Sequence, residues 1–498
     1  MLSALAATPI AATLLMMLWR GWSAARAGAI GLGIALLFAL TVFGLTPDDG
    51  NSSLAIALGG TVAEAGFTTG TILWIIWPAL CIHALQVGTG RIDQLQGAMT
   101  QLTDDSLAQT LLVGWFFALF MEGAAGFGAP VALAAPLLLA MGIEPARALA
   151  IALIGHAAGV SFGAVGTPIV PQISATGLRG AELAVVPALL HGALGWVLVF
   201  ALMRALGVSR PALGLLAAAC FFVPYICLAL LLGPELPTLA GAMVGGVAFA
   251  FVIRRRRTEE GPGSESRDPR ALLSALAPYL ALVVLILFTR LPGIGPYLSA
   301  ITIGWTLGDR FSGSFAPLYH PGTLLAASFV VGWAVQGATV AQVREALRRG
   351  TAQLLPVVLP LLVMLILARL LVHSGMIGQL ASDAASAFGA SWPAIAPFVG
   401  MFGTFVTGSA TTSNILFTQL QADIAGELDL SLTLLLGAQT FGAAVGNIVC
   451  PHNIVAGCAT IGLVGREGEI LRRTIPVGLL YALLGGILAL GAGWVVQP

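Results

Sequence analysis

The sequence predicts an all-α polytopic membrane protein with roughly 12–14 transmembrane helices, by the length a hydrocarbon core requires. Three observations carry this. Of the 498 residues, 58% are hydrophobic and 9% charged, and the mean hydropathy is +0.96, so most side chains cannot face water. Mostly apolar runs of about 20 residues, enough to cross a bilayer at about 1.5 Å per residue, recur from end to end. No hydrophilic segment is long enough to fold alone, so the function must lie in the membrane.

The elements follow in order. The run after Met1 has no basic residue before it, and the first, Arg20, comes after it. It therefore reads as a retained first helix rather than a signal peptide. Clear spans come at 27–45, 72–87, 183–203 and 211–232, and later at 271–288, 354–372 and 476–496. Between them lie stretches interrupted by Gly, Pro and polar residues, near 120–138 and 156–171 in a first transmembrane half (1–253) and near 405–421 and 440–456 in a second (271–498). A hydrophilic segment at 254–270, Arg254 to Arg257 followed by TEEGPGSESRDPR, reads as a linker. All 22 basic residues are arginine. Those of the linker, with Arg344, Arg348, Arg349, Arg472 and Arg473, are expected on the cytoplasmic side. Cys81, Cys220, Cys227, Cys450 and Cys458 form no regular pattern, which argues against a disulfide framework or a zinc site, and no metal or cofactor is expected.

The interrupted stretches resemble one another. FMEGAAGFGAP, moved forward by 285 positions, falls on FVTGSATTSNI, matching Phe120 to Phe405 and Gly123 to Gly408. AAGVSFGAVGTPIVP, with a two-residue slip, falls on TFGAAVGNIVCPHNI, matching Gly159 to Gly442, Gly163 to Gly446 and Pro168 to Pro451. Broken hydrophobic segments at corresponding places in two halves point to a transporter's substrate site near the bilayer midplane, and the reading favours inverted repeats. Irregular backbone survives in a membrane only where protein or a water-filled cavity satisfies its polar groups. A half-helix that begins there offers free N–H groups and a positive dipole end to an anion. Thr407, Ser409, Thr411, Thr412, Ser413 and Asn414 add donors for a carboxylate and a neighbouring hydroxyl.

LFMEGAAGFGAPVALAAPLL, SFGAVGTPI, LLGPELP, FVTGSATTSNILFTQLQ and CATIGLVGREGEILRRT occur in this order between Leu80 and Thr474. In these strings the chain resembles the lactate permease family, proton-coupled importers of lactate and glycolate. The resemblance implies symport of a 2-hydroxymonocarboxylate with H+ across the bacterial cytoplasmic (inner) membrane. The expected partners are that carboxylate, protons and the lipid bilayer, not nucleic acid, with homo-oligomerisation left open. The chain departs from the family pattern at Ala410, where an aspartate is usual, at Asn447 and His452, where lysine and glutamine are usual, and at His156, where asparagine is common. Losing one acid and one base together suggests that positions 410 and 447 pair in typical members.

Individual residues carry competing readings. Glu122 stands in an apolar stretch where an ionised side chain costs roughly 2.5–3.5 kcal/mol, so it reads as a proton carrier or substrate-site partner, or as a brace for a neighbouring broken helix. Glu64 is the other acid that looks deep, or it sits near an interface. His156 is a candidate proton relay or a packing residue. His83, His191 and His373 read as helix residues near interfaces. Arg369 could hold a carboxylate or neutralise Glu122, or reach out to the headgroups. Substrate contacts are expected from Gly126, Phe127, Gly128, Gly166, Thr167, Ser409, Thr412, Ser413, Asn414 and Asn447, and proton coupling from Glu122 and His156. Many glycines serve close helix packing instead. Two rivals remain. Gly159-Val160-Ser161-Phe162-Gly163 has the G-x-S-x-G form of nucleophilic serines, so an intramembrane serine hydrolase is one, and an anion channel is the other.

Overall fold

The computed structural model describes residues 2–494 except 21, 46–52, 101–102, 104, 127, 257–268, 290, 292, 308–310 and 464–465. The helices of the first half are α1 Leu2–Arg20, α2 Ala24–Phe38, α3 Leu54–Gly88, α4 Arg91–Thr100, α5 Ser106–Ala124, α6 Ala129–Ala140, α7 Pro145–His156, α8 Val170–Thr176, α9 Gly180–Leu194, α10 Trp196–Leu206, α11 Pro211–Leu232 and α12 Pro237–Arg256. The second half holds α13 Pro269–Thr289, α14 Gly295–Ala300, strands β1 Ile303–Leu307 and β2 Phe311–Phe315, α15 Pro321–Gln336, α16 Val340–His373, α17 Met376–Phe388, α18 Trp392–Thr407, α19 Ala410–Leu428, α20 Leu432–Val449, α21 Pro451–Thr460 and α22 Glu467–Gly493. Helices α12 and α13 run into the ends of the expected linker, whose middle lies outside the described residues.

Among the described residues 11 helical segments are long and apolar enough to cross a membrane, or 12 if α9 and α10, bent by 43°, form one span. The expected 12–14 is met only at its lower edge, because the apolar part of α1, Leu2–Met17, and helices α6 and α15 are too short. The all-helical expectation also misses one element. Strands β1 and β2 pair antiparallel, from Ile303 opposite Phe315 to Leu307 opposite Phe311. Their aromatic and β-branched residues suit a strand pair, and the Phe311 ring packs where Gly60 leaves room.

The interrupted stretches take two forms. Helices α18 and α19 fold back on each other: Ser413 Oγ donates to Gly400 O at 2.8 Å, and Trp392 Nε1 to Gln421 Oε1 at 2.7 Å. They form a helical hairpin whose tip is Gly408, held at φ +76. Helices α5 and α6 do the same, with Gly114 facing Leu138 across a tip that holds Gly126 at φ +58 and Gly128 at φ +83. An L side chain is strained at such angles. The other two stretches continue onward as broken helices, α7 through an irregular turn at 157–169 into α8, and α20 through Cys450 into α21.

Glycine contacts fix the directions. A Cβ on Gly155 would collide with Gly114 O and one on Gly163 with the Glu122 carboxylate, so α5 runs parallel to α7. A Cβ on Gly442 would collide with Pro397 O and one on Gly446 would lie 2.5 Å from Met401 O, so α18 runs parallel to α20. Between the halves the order reverses. His156 faces Asn447, Val160 packs on Ala443 and Ala444, and Ser161 meets Thr440 O, so the two broken helices cross antiparallel.

Ion pairs place the arginines. Arg473 reaches Glu144, at the start of α7, at 3.5 Å, and Arg210 pairs with Asp105, just before α5. Because α5 and α7 are parallel, these two arginines share one end of the bundle. The N-terminus of α16, with Arg344, Arg348 and Arg349, lies at the same end, beside the C-terminal half of α3 through Gly350 against Cys81. By the positive-inside rule this is the cytoplasmic end.

Candidate functional site

The breaks meet around the turn at 157–169. Glu122, 6% exposed on the last turn of α5, lies over Gly159 and Gly163, and the tip glycine Gly126 sits against Ala164. Missing side chains at these glycines make room for the carboxylate. No hydrogen bond reaches the Glu122 carboxylate among the described residues. From the other half, Ala410 at the start of α19 packs with Val160, Ala443 and Ala444. His156, at the end of α7, holds Ala152 O through Nδ1 at 2.7 Å and meets Asn447 Oδ1 through Nε2 at 3.2 Å. Asn453 Nδ2 donates to the same Oδ1 at 2.6 Å.

The expected substrate donors divide into two groups. Ser409, Thr412 and Asn447 are half-buried, and Gly128 is exposed. Ser409 Oγ caps α19 by accepting from Thr412 N at 3.2 Å, leaving its proton and the Thr412 hydroxyl available. Ser413 and Asn414 are fully buried and committed elsewhere. Ser413 ties the hairpin arms together, while Asn414 donates to Pro168 O at 2.9 Å and Thr440 Oγ1 at 3.2 Å and accepts from Gln439 Nε2 at 3.2 Å. Thr167 Oγ1 donates to Ala164 O at 2.6 Å, and a Cβ on Gly166 would lie 2.7 Å from Pro234 O, so both hold the turn itself. Phe127 lies outside the described residues.

Arg369 does not neutralise Glu122. It lies 3.9 Å from Glu64 and donates to Ser174 O and Oγ, while His373 Nε2 is 2.9 Å from Glu64 Oε2. This cluster joins α3, α16 and the end of α8 beside Phe311 and Ser312, towards the end opposite the arginine-rich one. The sequence offered Glu64, Arg369 and His373 separately, and only the packing of α3 on α16 brings them together. Sequence reasoning also passed over Asn453, which stands in the same Cys-Pro-His-Asn run as the fourth break, and the buried chain of Ser161, His191 and Tyr481.

That chain bears on the hydrolase rival. Ser161 Oγ is 2.9 Å from His191 Nε2, as a nucleophilic serine would require. Yet all three side chains are fully buried, and the other imidazole nitrogen meets the Tyr481 hydroxyl at 2.9 Å rather than a carboxylate. Ser161 Oγ also lies 3.3 Å from Thr440 O, a second acceptor for its proton. The arrangement is a satisfied polar tie between halves.

A family model described as L-lactate permease matches residues 3–308 and 303–496. The glycolate permease GlcA of Escherichia coli K12 is 30% identical, over 93% of this chain and 90% of its own. The L-lactate permeases of Salmonella typhimurium and Escherichia coli K12 are each 29% identical, over 91% and 92% of this chain and 89% of theirs. Among solved structures, the chain is similar in fold to Neisseria gonorrhoeae MtrF, with TM-score 0.53 and 14% identity over 96% of each chain. It is likewise similar to the Alcanivorax borkumensis YdaH transporter, with TM-score 0.53 and 16% identity over 98% of this chain and all of that one. The protein is a multi-pass membrane transporter of the bacterial inner membrane. It belongs to the L-lactate permease family.

Proposed function

We propose that this protein is a secondary active symporter that carries a small 2-hydroxymonocarboxylate, such as L-lactate or glycolate, together with a proton. The substrate class comes from the names of the relatives. The observation that carries the mechanism is the convergence of both hairpin tips on the broken turn at 157–169, beside buried Glu122 and His156. In this reading the carboxylate docks at the accessible start of α19, against Ser409, Thr412 and the free N–H groups there, with Asn447 alongside. Ser413, Asn414, Thr167 and Gly166 hold that geometry from behind. Glu122 and His156 carry the coupling proton, since a buried ion without a partner is costly and a proton relieves it for the acid. The antiparallel crossing of the broken helices supports two inverted repeats, which would let the site open to either side in turn.

The test is uptake into proteoliposomes. A pH step, acidic outside, should drive lactate above its equilibrium level, and Glu122→Gln should abolish that accumulation while exchange of pre-bound substrate persists. Flux that only equilibrates would favour the anion channel. Full pH-driven accumulation in Glu122→Gln would remove that residue from the coupling.

A further inference from the structure

We propose that Arg369 is the centre of a second, outer carboxylate site, which takes the substrate anion at the mouth of the pathway before it passes to the donors at the start of α19. The symport reading above supplies the identity of the anion, and the site itself is argued from the residues around the guanidinium.

Placement comes first. Ile72 of α3, Leu365 and Ala368 of α16 and Ile415 of α19 form one apolar cluster, against which Val170 of α8 packs. Helices α8, α16 and α19 run away from the arginine-rich end and α3 runs towards it. One turn outward from this cluster therefore stand Ser174 on α8, Arg369 on α16 and Thr68 on α3, and one turn inward stands Thr412 on α19. The contacts agree, since Arg369 reaches Ser174 and Ser174 Oγ lies 3.1 Å from Thr68 Oγ1. An apolar layer thus separates Arg369 from the inner donors, which makes the two positions distinct sites on one route.

The donors come next. A guanidinium has five N–H groups, and those of Arg369 that make hydrogen bonds among the described residues are on Nη2, to Ser174 O at 3.3 Å and Oγ at 3.1 Å. Glu64 does not use up the rest. Its Oε2 lies 2.9 Å from His373 Nε2, its Oε1 accepts from Ser312 N at 3.4 Å, and the 3.9 Å to Arg369 Nε is too long for a hydrogen bond. Nη1 is left with its donors unspent among the described residues. The Ser174–Thr68 contact consumes one hydroxyl proton of the two, so a second donor stands beside the first. A cation with a planar fork of donors and a neighbouring hydroxyl suits a carboxylate.

Access and depth fit the same role. Ser174 is exposed, and the Arg369 side chain keeps 18% of its surface. A headgroup phosphate is the other anion of matching chemistry, but a snorkelling arginine leaves the bundle on its lipid face. This guanidinium is held inward, between α3, α16 and the end of α8. Glu64 then acts as the internal carboxylate that offsets the cation when no substrate is bound.

The experiment has two arms. In right-side-out and inside-out membrane vesicles, Arg369→Gln should raise the half-saturating lactate concentration about ten-fold or more at the outer face, as for losing a hydrogen bond to a charged group, and less than about two-fold at the inner face. Arg369→Lys keeps the charge without the fork and should fall between. Glu64→Gln removes the competing carboxylate and should lower the outer value. No change at the outer face, or an equal change at both faces, would overturn the proposal. Asp309 lies outside the described residues, so the comparison is repeated with Asp309→Asn, and disappearance of the Arg369→Gln effect there would assign the guanidinium to Asp309 instead. Should Arg369→Gln not fold, modification of Arg369 by phenylglyoxal, read by peptide mass spectrometry, decides the matter. Lactate should protect Arg369 in the wild type and in Thr412→Ala, whose inner site is weakened, and neutral lactamide should not. An arginine unreactive without lactate, equal protection by lactamide, or protection by phosphatidylglycerol vesicles alone would each refute the site. This arm reads binding without transport, so a wild type that fails to accumulate lactate on a pH step would defeat the symport reading and leave the outer site to be judged by protection.

Discussion

His156 and Asn447, two departures from the family pattern, face each other at 3.2 Å. The family resemblance implies asparagine and lysine at these two positions, where this chain has histidine and asparagine, so a base would have crossed from one half to the other. Ala410 packs its methyl on Val160 and Ala443, while the Asn447 amide goes to His156 and Asn453. Asn447→Lys alone should set an ammonium against the imidazole. Whenever the ring is protonated, two like charges about 4 Å apart cost about 4 kcal/mol at an effective dielectric constant of 20, so the penalty should grow as the pH falls. His156→Asn alone should lose the imidazole's hydrogen bond to Asn447, worth about 0.5–1.5 kcal/mol. Made together, the changes restore an amide–ammonium pair, and the double variant should be more stable than the sum of the singles by at least about 1.5 kcal/mol, well outside the roughly 0.3–0.5 kcal/mol expected of independent sites. The assay is thermal unfolding in detergent alongside pH-driven uptake. Lysine titrates near 10.4 and histidine near 6.5 in model peptides, so any uptake regained by the double variant should persist to more alkaline pH. Additive effects, or recovery of Asn447→Lys by Ala410→Asp rather than by His156→Asn, would refute the exchange.

The two groups of donors should separate in assay: Thr412→Ala should weaken lactate affinity with little change in stability, whereas Ser413→Ala should lower stability by about 0.5–1.5 kcal/mol. Equal effects of both on affinity would place Ser413 in contact with substrate. Ser161→Ala should keep lactate counterflow within a few-fold of wild type, since its hydroxyl only ties Thr440 O to His191; complete loss in folded protein would reopen a chemical role. Gly163→Ala drives a methyl into the Glu122 carboxylate and should abolish pH-driven accumulation, and Glu122→Ala in the same chain should relieve the misfolding part of the defect, read by thermal unfolding.

The membrane class was legible because it is written in composition, whereas the interruptions are marked only by local Gly, Pro and polar punctuation. Whether an interruption turns the chain back or lets it continue was not legible. That choice depends on whether neighbouring arms can close, as Ser413 with Gly400 and Trp392 with Gln421 do, and those residues are far apart in sequence. The strand pair escaped for a related reason, since two five-residue strands beside a membrane leave a weak periodic pattern.

Which of the candidate residues can be reached was not legible in the sequence, and α19 shows why. Ala410, Ser413, Asn414 and Phe417 stand at helical spacing on one face and are all buried, while Ser409 and Thr412 fall off that face and stay within reach. The uniform polarity of the Thr411-Thr412-Ser413-Asn414 run hides this division, because polarity marks the inward face only when the core is apolar. Here the inward face must meet unpaired carbonyls at Gly400 and Pro168, which the hairpin and the broken turn leave open, so polar side chains are what that face requires. Glu122 follows the same logic from the opposite side. Its carboxylate fits because Gly159 and Gly163 present bare backbone to it, and no hydrogen bond reaches it among the described residues. A brace needs a bond to the helix it holds. A proton carrier needs access to a proton and a cost for carrying charge alone, and pH-driven uptake by Glu122→Gln separates the two roles.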